Sequence, residues 1–477
     1  MSIPQDPIRR NSASGHLVRS VVARDEPEHH HLRALQDLSS ALPTPAAFEA
    51  AGAKLREVVT TPDFHPGKPV PVGVVVDVEA AVLPHLIGND IGCGMRMIAL
   101  DNVTEDDLNS DLDSHLRHLF FQGGRDIALT GRDRHAILRE GIPGLLESLA
   151  SRREGLLSKM DLKQAWKDVD RTCDDGQFLC SGVIKGFSDY ADLCDAHRRD
   201  AILGTIGGGN HFVEFGVVED IVDGRFANVS GVRRGTVVAV VHSGSLDFGQ
   251  YVGSSAREKL MARRAEKDDY RILSLEEGLY GDYLDGHANA ANAAFANRFF
   301  IGLAAIEAVS RSVKREVSSR LVYDAPHNTI WERDGVVRHR KGACTARGVG
   351  ELHASPYEWF GEPVILPGSM GDGSWLLRGN GNVEGMSSSA HGAGRKLSRQ
   401  EARAVGKIED ALRVVGPLDL RDPRIRARPD ILSEVEGRLN EEAPAAYRPI
   451  DQVVNPMVDA GLVGKVARIR PLLTVKG

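Results

Sequence analysis

Five short segments, most of them glycine-rich, carry side chains that together can build a two-ion metal site and a nucleophile. Asp90 and Cys93 in NDIGCG, His211 in GGGNHFVE, His242 in VHSGS and His327 in APHNT supply a carboxylate, a thiolate and three imidazoles. Such donors can fill the shells of two closely spaced divalent ions and leave positions open for phosphate oxygens or water. Asp90 and Cys93 stand three apart, so one short loop can present both to the same ion. His391 in SSAHGAGR lies among small residues that let a phosphate approach, which makes it a candidate nucleophile. Asp63 and His65 in TPDFHPG either orient a ligand imidazole from behind or cap a turn before Pro66.

The elements that must position these residues are legible in outline. Residues 28–57 read as two helices broken at Pro43 and Pro45, with His29, His30 and His31 at an exposed helix start. The β-branched run Val70–Val78 reads as a buried strand leading to the tight loop of Asp90 and Cys93. Residues 104–200 carry helical periodicity and many charges, and read as a helical elaboration on the core. Beyond them TVVAVVHSGS, SRLVYDAPHN and GEPVILPGSMG are strand-like and each ends in a motif loop, while 284–316 and 396–413 read as helices. Chemistry on loops at strand ends is what a rigid scaffold offers. Residues 1–20 are polar and are expected to be loose.

At 477 residues the chain can bury a large core. The metal-type residues run from 90 to 327 and must converge, which argues for one interwoven domain. With 59 Lys plus Arg against 66 Asp plus Glu, the net charge of −7 excludes a global basic field. Nucleic acid would have to meet a local patch: Arg198 and Arg199, the Arg338, Arg340, Lys341 cluster, Arg395 and Lys396, or the arginines at 421, 424, 426 and 428, which read as a solvated face. Five cysteines without regular pairing exclude a disulfide scaffold and fit a reducing compartment. The N-terminus lacks an apolar signal region, and the expectation is a cytoplasmic protein without a membrane partner.

Nucleotide chemistry does not come from a P-loop, because HPGKPVPVG lacks the upstream glycine and the Ser or Thr after the lysine. No Lys-x-Asp-Gly segment supports a lysine nucleophile either. The segments DIGCG, GTIGGGNHF, HSGS, PHN, HRKGA, ILPGSMG, HGAGR and VKG, in this order, resemble the RtcB family of GTP-dependent RNA (tRNA-splicing) ligases. The resemblance runs from TPDFHPG to the terminal VKG. It implies an α+β fold, a single large domain over 1–477 with mixed sheets, flanking helices and a loop-built metal cleft.

The resemblance also implies roles. Cys93 would bridge two Mn²⁺ ions, with Asp90 and His211 completing one shell and His242 and His327 the other, although Zn²⁺ binds such donors more tightly. His391 would take GMP from GTP. Asn210 would contact phosphate, and Glu214, Ser369, Ser374, Tyr447 and Lys476 would form the guanine pocket. Arg395 and Lys341, with help from Arg198, would hold the phosphate ends of RNA. The expected substrates are RNA ends with 3′-phosphate or 2′,3′-cyclic phosphate and 5′-hydroxyl. Whether an activating protein partner takes part is left open.

One position departs from the family pattern. HSGS is followed by Leu246 and Asp247 where the family usually has an arginine, and losing one charge-assisted hydrogen bond costs about 1.5–3 kcal/mol of phosphate binding. The chain therefore reads as a divergent member. The rival readings are a metal-dependent hydrolase that trims RNA ends without joining them, and a non-catalytic RNA-binding partner.

Overall fold

The computed structural model of the chain describes residues 7–150, 152–265, 269–405 and 412–477. The structure is α+β, with two main sheets and a long central helix. The first sheet runs Ile8–Ala13, His16–Val21, Lys54–His65, Val72–Glu79, Val336–Lys341, Asn328–Arg333. Its strands pair antiparallel except His16–Val21 with Lys54–His65, which is parallel. The second runs Ser319–Pro326, Gly94–Leu100, Val237–Ser243, Phe212–Ile221, Val463–Val475, Ser374–Gly379, Pro363–Leu366, antiparallel along this path, with the short strand Val414–Val415 added parallel to Val463–Val475. Its β-branched and apolar runs, such as Val237–Val241, are buried on both faces, as strands inside a covered sheet must be.

Register in the second sheet decides where the chemistry goes. Gly94 pairs with Ser243 on one side and with Pro326 on the other, and His242 pairs with Phe212. Cys93, His242, His327 and His211 therefore leave the same end of four adjacent strands. Residues more than two hundred apart in sequence meet there because a ladder fixes its register.

The helix Gly278–Val313 covers this sheet and is buried along most of its length. Alanines let it lie close to its neighbours, and several of the polar residues it buries tie other segments to it. Asn289 and Asn292 both donate to the Leu138 carbonyl, at 3.0 Å each. Asn297 accepts from the Gly204 amide and donates to the Ser243 hydroxyl and the Gly244 carbonyl. Arg298, wholly buried, pairs with Asp324 at 2.8 Å and donates to the carbonyls of Gly92, at 2.6 Å, and Ser243, at 3.1 Å. Asp324 is also held by Arg96, at 3.2 Å. This helix is long and apolar enough to cross a bilayer, but it is a core helix, the outcome expected when an element is apolar all round.

Several local expectations meet the structure differently. Within residues 1–20, Ile8–Ala13 and His16–Val21 form a hairpin and not a loose tail, because Val18 and Ala13 are buried against the helix Glu28–Ala41 and its neighbours. Residues 1–6 lie outside the described residues. The helix expected over 396–413 is seen at Arg399–Val405, and 406–411 lie outside the described residues. The two helices of 28–57 are Glu28–Ala41 and Pro45–Ala50, after which Lys54 begins a strand. Within 104–200, the helices Ser110–Phe121 and Gly131–Ser148 pack on the central helix.

Removing Asp324 leaves two buried guanidinium groups without their shared carboxylate. Asp324→Ala is expected to lower unfolding stability by about 3–5 kcal/mol in urea denaturation.

Candidate active site

The four strand ends, the loop after Lys341 and the segment around His391 enclose a cleft of about 630 Å³. At its floor Cys93 Sγ lies 3.2 Å from His242 Nε2 and 3.3 Å from His211 Nε2. The donor atoms of these three buried residues all fall within 4.8 Å of one another. Asp90 Oδ2 is 3.4 Å from His211 Nε2. His327 lies beside His242 with ring centroids 5.2 Å apart and the rings tilted by 56°, and its backbone amide donates to the Cys93 carbonyl at 2.7 Å. Gly244 is required here, since a Cβ would lie 2.3 Å from Asp90 Oδ1.

The protonation of this cluster suits a cation. His242 donates through Nδ1 to the Asn210 carbonyl at 3.0 Å, which leaves Nε2 with its lone pair toward Cys93. Burial drives the pKa of His242 and His327 well below the usual histidine range, so both are neutral imidazoles able to serve as metal donors. Burial and the Asp90 charge push the Cys93 thiol up, and a bound divalent ion is what would hold it as thiolate. Among the described residues, Nδ1 of His211 and Nδ1 of His327 are buried without hydrogen-bond partners. A carboxylate, a thiol and three imidazoles at this spacing fit a metal site.

His391 stands at the other end of the imidazole row, its ring 4.8 Å from that of His327. The short pairing of Ala343–Thr345 with Ser388–Ala390 sets it opposite Gly342, which has φ +61° and where a Cβ would meet Val72 and the His391 ring. Its Nδ1 donates to Asp63 Oδ2 at 2.6 Å, and its backbone amide donates to the same oxygen at 3.1 Å. Asp63 is fully buried and also accepts from the Thr61 hydroxyl at 2.6 Å. Although burial opposes ionisation of Asp63, the His391 charge and these donors hold its carboxyl below the usual range. Asp63 thus orients His391 and none of the three histidines at the metal cluster. His65 donates to the Asp63 carbonyl, turning the chain there.

Beside these, Glu214 and Thr474 pair across adjacent strands, and Glu214 lies 3.4 Å from the hydroxyls of Ser374 and Thr474. Burial raises its pKa to about 7. Asn210, Ser369, Tyr447 and Lys476 line the same cleft, and Ser374 sits behind Glu214. Lys476 donates to the Gly209 carbonyl at 2.8 Å, which fastens the end of the chain to the GGGN loop. Arg395 packs over the Tyr447 ring at 4.9 Å and pairs with Glu442 at 3.2 Å. Lys341 donates to the Ile87 carbonyl at 2.8 Å.

Arg198 is absent from the cleft wall, being exposed and paired with Asp192 at 3.1 Å. The arginines at 421, 424 and 428 pair locally with Asp419, Asp422 and Asp430, as a solvated face would. Leu246 begins the helix Asp247–Ala262 with φ +52°, a strained value for leucine, and its side chain packs against Gly207. Sequence reasoning missed Arg298 and Asn297, which tie the ligand loops together, because a polar residue in an alanine-rich helix gives no sign of what it reaches.

A family profile described as "tRNA-splicing ligase RtcB" matches residues 49–477. The chain belongs to the RtcB family. It is similar to proteins named "tRNA-splicing ligase RtcB" from Pyrobaculum aerophilum, 31% identical over 88% of this chain and 87% of that one. It is likewise similar to those from Thermococcus kodakarensis, 32% identical over 88% and 87%, and Methanococcus maripaludis, 29% identical over 87% and 87%. The match covers the second sheet, the first sheet from Lys54–His65 onward, and every cleft segment from Asp63 to Lys476, so the RtcB fold of this chain includes the whole of the site just described.

Two expectations follow. Cys93→Ala is expected to weaken Mn²⁺ or Zn²⁺ binding by about tenfold or more in calorimetric titration. For Glu214, a folded-state pKa of about 7 above an ordinary unfolded value means that the folded state holds the extra proton, so its contribution to stability is lost as pH rises toward 7. Glu214→Gln should therefore gain stability over the parent on going from pH 5 to pH 8, by something on the order of 3 kcal/mol in urea unfolding.

Proposed function

We propose that this chain is a GTP-consuming RNA ligase that joins 3′-phosphate or 2′,3′-cyclic phosphate ends to 5′-hydroxyl ends through a guanylate carried on His391. The observation that carries this reading is the buried Asp63 carboxylate on His391 Nδ1. It fixes the tautomer and leaves Nε2, with its lone pair, as the nucleophilic nitrogen of a ring that lines the cleft. The family match and the names of the relatives support the RNA-joining activity.

In this reading His391 Nε2 attacks the α-phosphorus of GTP. The bond to the pyrophosphate oxygen breaks, pyrophosphate leaves, and Asp63 stabilises the positive imidazole that forms. A 3′-phosphate oxygen of the RNA then attacks the same phosphorus and releases His391, leaving the RNA end capped by GMP. The 5′-hydroxyl attacks the 3′-phosphorus, a phosphodiester forms and GMP departs. A cyclic phosphate is first opened by water.

Asp90, Cys93, His211, His242 and His327 would hold two divalent ions, with Mn²⁺ as the working choice. When bound, the ions supply charge for the phosphoryl oxygens and acidify a water molecule. Glu214 would accept from guanine N1 and N2, which needs its ionised form, and Lys476 would donate to O6. Asn210, Ser369, Ser374 and Tyr447 would complete the nucleotide pocket. Arg395 and Lys341 would meet the RNA phosphates.

Leu246 favours a second reading, an end-processing hydrolase, because it places an apolar side chain beside Gly207 of the GGGN loop, with the exposed Asp247 next in sequence. One assay separates the two. Incubating a 3′-phosphate RNA and a 5′-hydroxyl RNA with the protein, GTP and Mn²⁺ is expected to give joined product. His391→Ala should abolish joining, and Asp63→Asn should reduce its rate by about 10²-fold or more. Phosphate release without joined RNA would establish the hydrolase.

A further inference from the structure

The cations along the cleft divide into two groups. One group is already engaged: Lys341 by the Ile87 carbonyl, Lys476 by the Gly209 carbonyl, Arg395 by Glu442 and Tyr447, Arg399 by Glu442 and Arg448 by Glu26. At the rim stand Arg33, Lys68 and Lys396, all exposed and all lining the cleft. Among the described residues, none of the three has an ion pair or a side-chain hydrogen bond. They come from three separate segments: the helix Glu28–Ala41, the loop between Lys54–His65 and Val72–Glu79, and the loop that follows His391. The acid near Arg33 is Glu401, whose carboxylate already accepts from the Ser398 amide at 2.8 Å.

On a chain of net charge −7, free cations gathered at one mouth are selective, since no general positive field surrounds them. Separate, flexible, exposed charges suit a chain of phosphates read without regard to base. A single nucleotide would be gripped deeper, where Glu214 and Lys476 stand. We propose that Arg33, Lys68 and Lys396 form a phosphate track on the cleft rim that holds the backbone of the RNA strand leading away from the reacting end. The track rests on the ligase reading for its substrate, and it adds an N-terminal helix that lies before the matched family region.

The test is binding of a single-stranded RNA carrying a 3′-phosphate, followed by fluorescence anisotropy over a range of KCl concentrations. Each lost phosphate contact on a single strand reduces the slope of log K against log salt by about 0.7. The triple variant Arg33→Ala, Lys68→Ala, Lys396→Ala is expected to lose about 2 from the magnitude of that slope. Its KM for GTP in guanylylation should match the parent's. A control variant, Lys163→Ala with Lys167→Ala on an exposed helix away from the cleft, should keep the parental slope. An unchanged slope in the triple variant overturns the track, as does an equal loss in the control. A rise in KM for GTP with an unchanged slope assigns the three cations to the nucleotide instead. Absence of guanylylation in the parent would remove the ligase reading alone, and the slopes would still decide whether the track binds RNA.

Discussion

A single buried guanidinium holds the site's backbone together. Arg298 reaches from the central helix to the carbonyls of Gly92 and Ser243, the residues next to Cys93 and His242, while Asp324 neutralises it from the strand that ends at His327. Three of the strand ends that carry ligands are thereby referred to one rigid group. A buried ion pair of this kind seldom adds net stability against an apolar replacement, because desolvation offsets the attraction. Its value is positional: a bidentate donor in a dry environment fixes two loops more sharply than apolar packing would. Asn297, one residue away, does the same for the Gly204–Thr205 turn and the Ser243–Gly244 turn.

From that frame the electrostatics of the cleft follow by depth. The floor has the neutral imidazoles of His242 and His327, a protonated thiol and a carboxylate, a set in want of positive charge. His391 lies one ring beyond His327 and is oriented by Asp63 and not by the donors at the floor. Further out the engaged cations give way to free ones. The cleft thus runs from a place for cations, past the proposed nucleophile, to a rim that attracts anions, an order that suits a phosphate chain entering end first.

Much of this was legible in the sequence because the chemistry sits in short, unusual segments. Gly-rich loops after β-branched runs pointed to strand ends, and the strands at Val237–Ser243, Ser319–Pro326 and Val72–Glu79 lie close to where their composition puts them. What pattern could not supply was register. Nothing in VHSGS or NDIGCG says that Ser243 faces Gly94, and that pairing is what brings the ligands together. Residues 1–20 read as a loose tail because polar residues dominate there, while the hairpin within them is held by Ala13 and Val18 meeting a distant helix and sheet. From sequence Asp63 reads either as orienting a ligand imidazole or as capping a turn, since its contact to His391 crosses 328 residues of chain. Arg298 was invisible for the same reason.

The central claim is that His391 carries the nucleotide. Incubation of the protein with GTP and Mn²⁺, followed by proteolysis at neutral or alkaline pH and mass spectrometry of the peptides, reads this directly. The expected result is one acid-labile guanylate on the peptide containing His391. A guanylate on a lysine such as Lys341 or Lys476, or metal-loaded protein that forms no adduct, would contradict it.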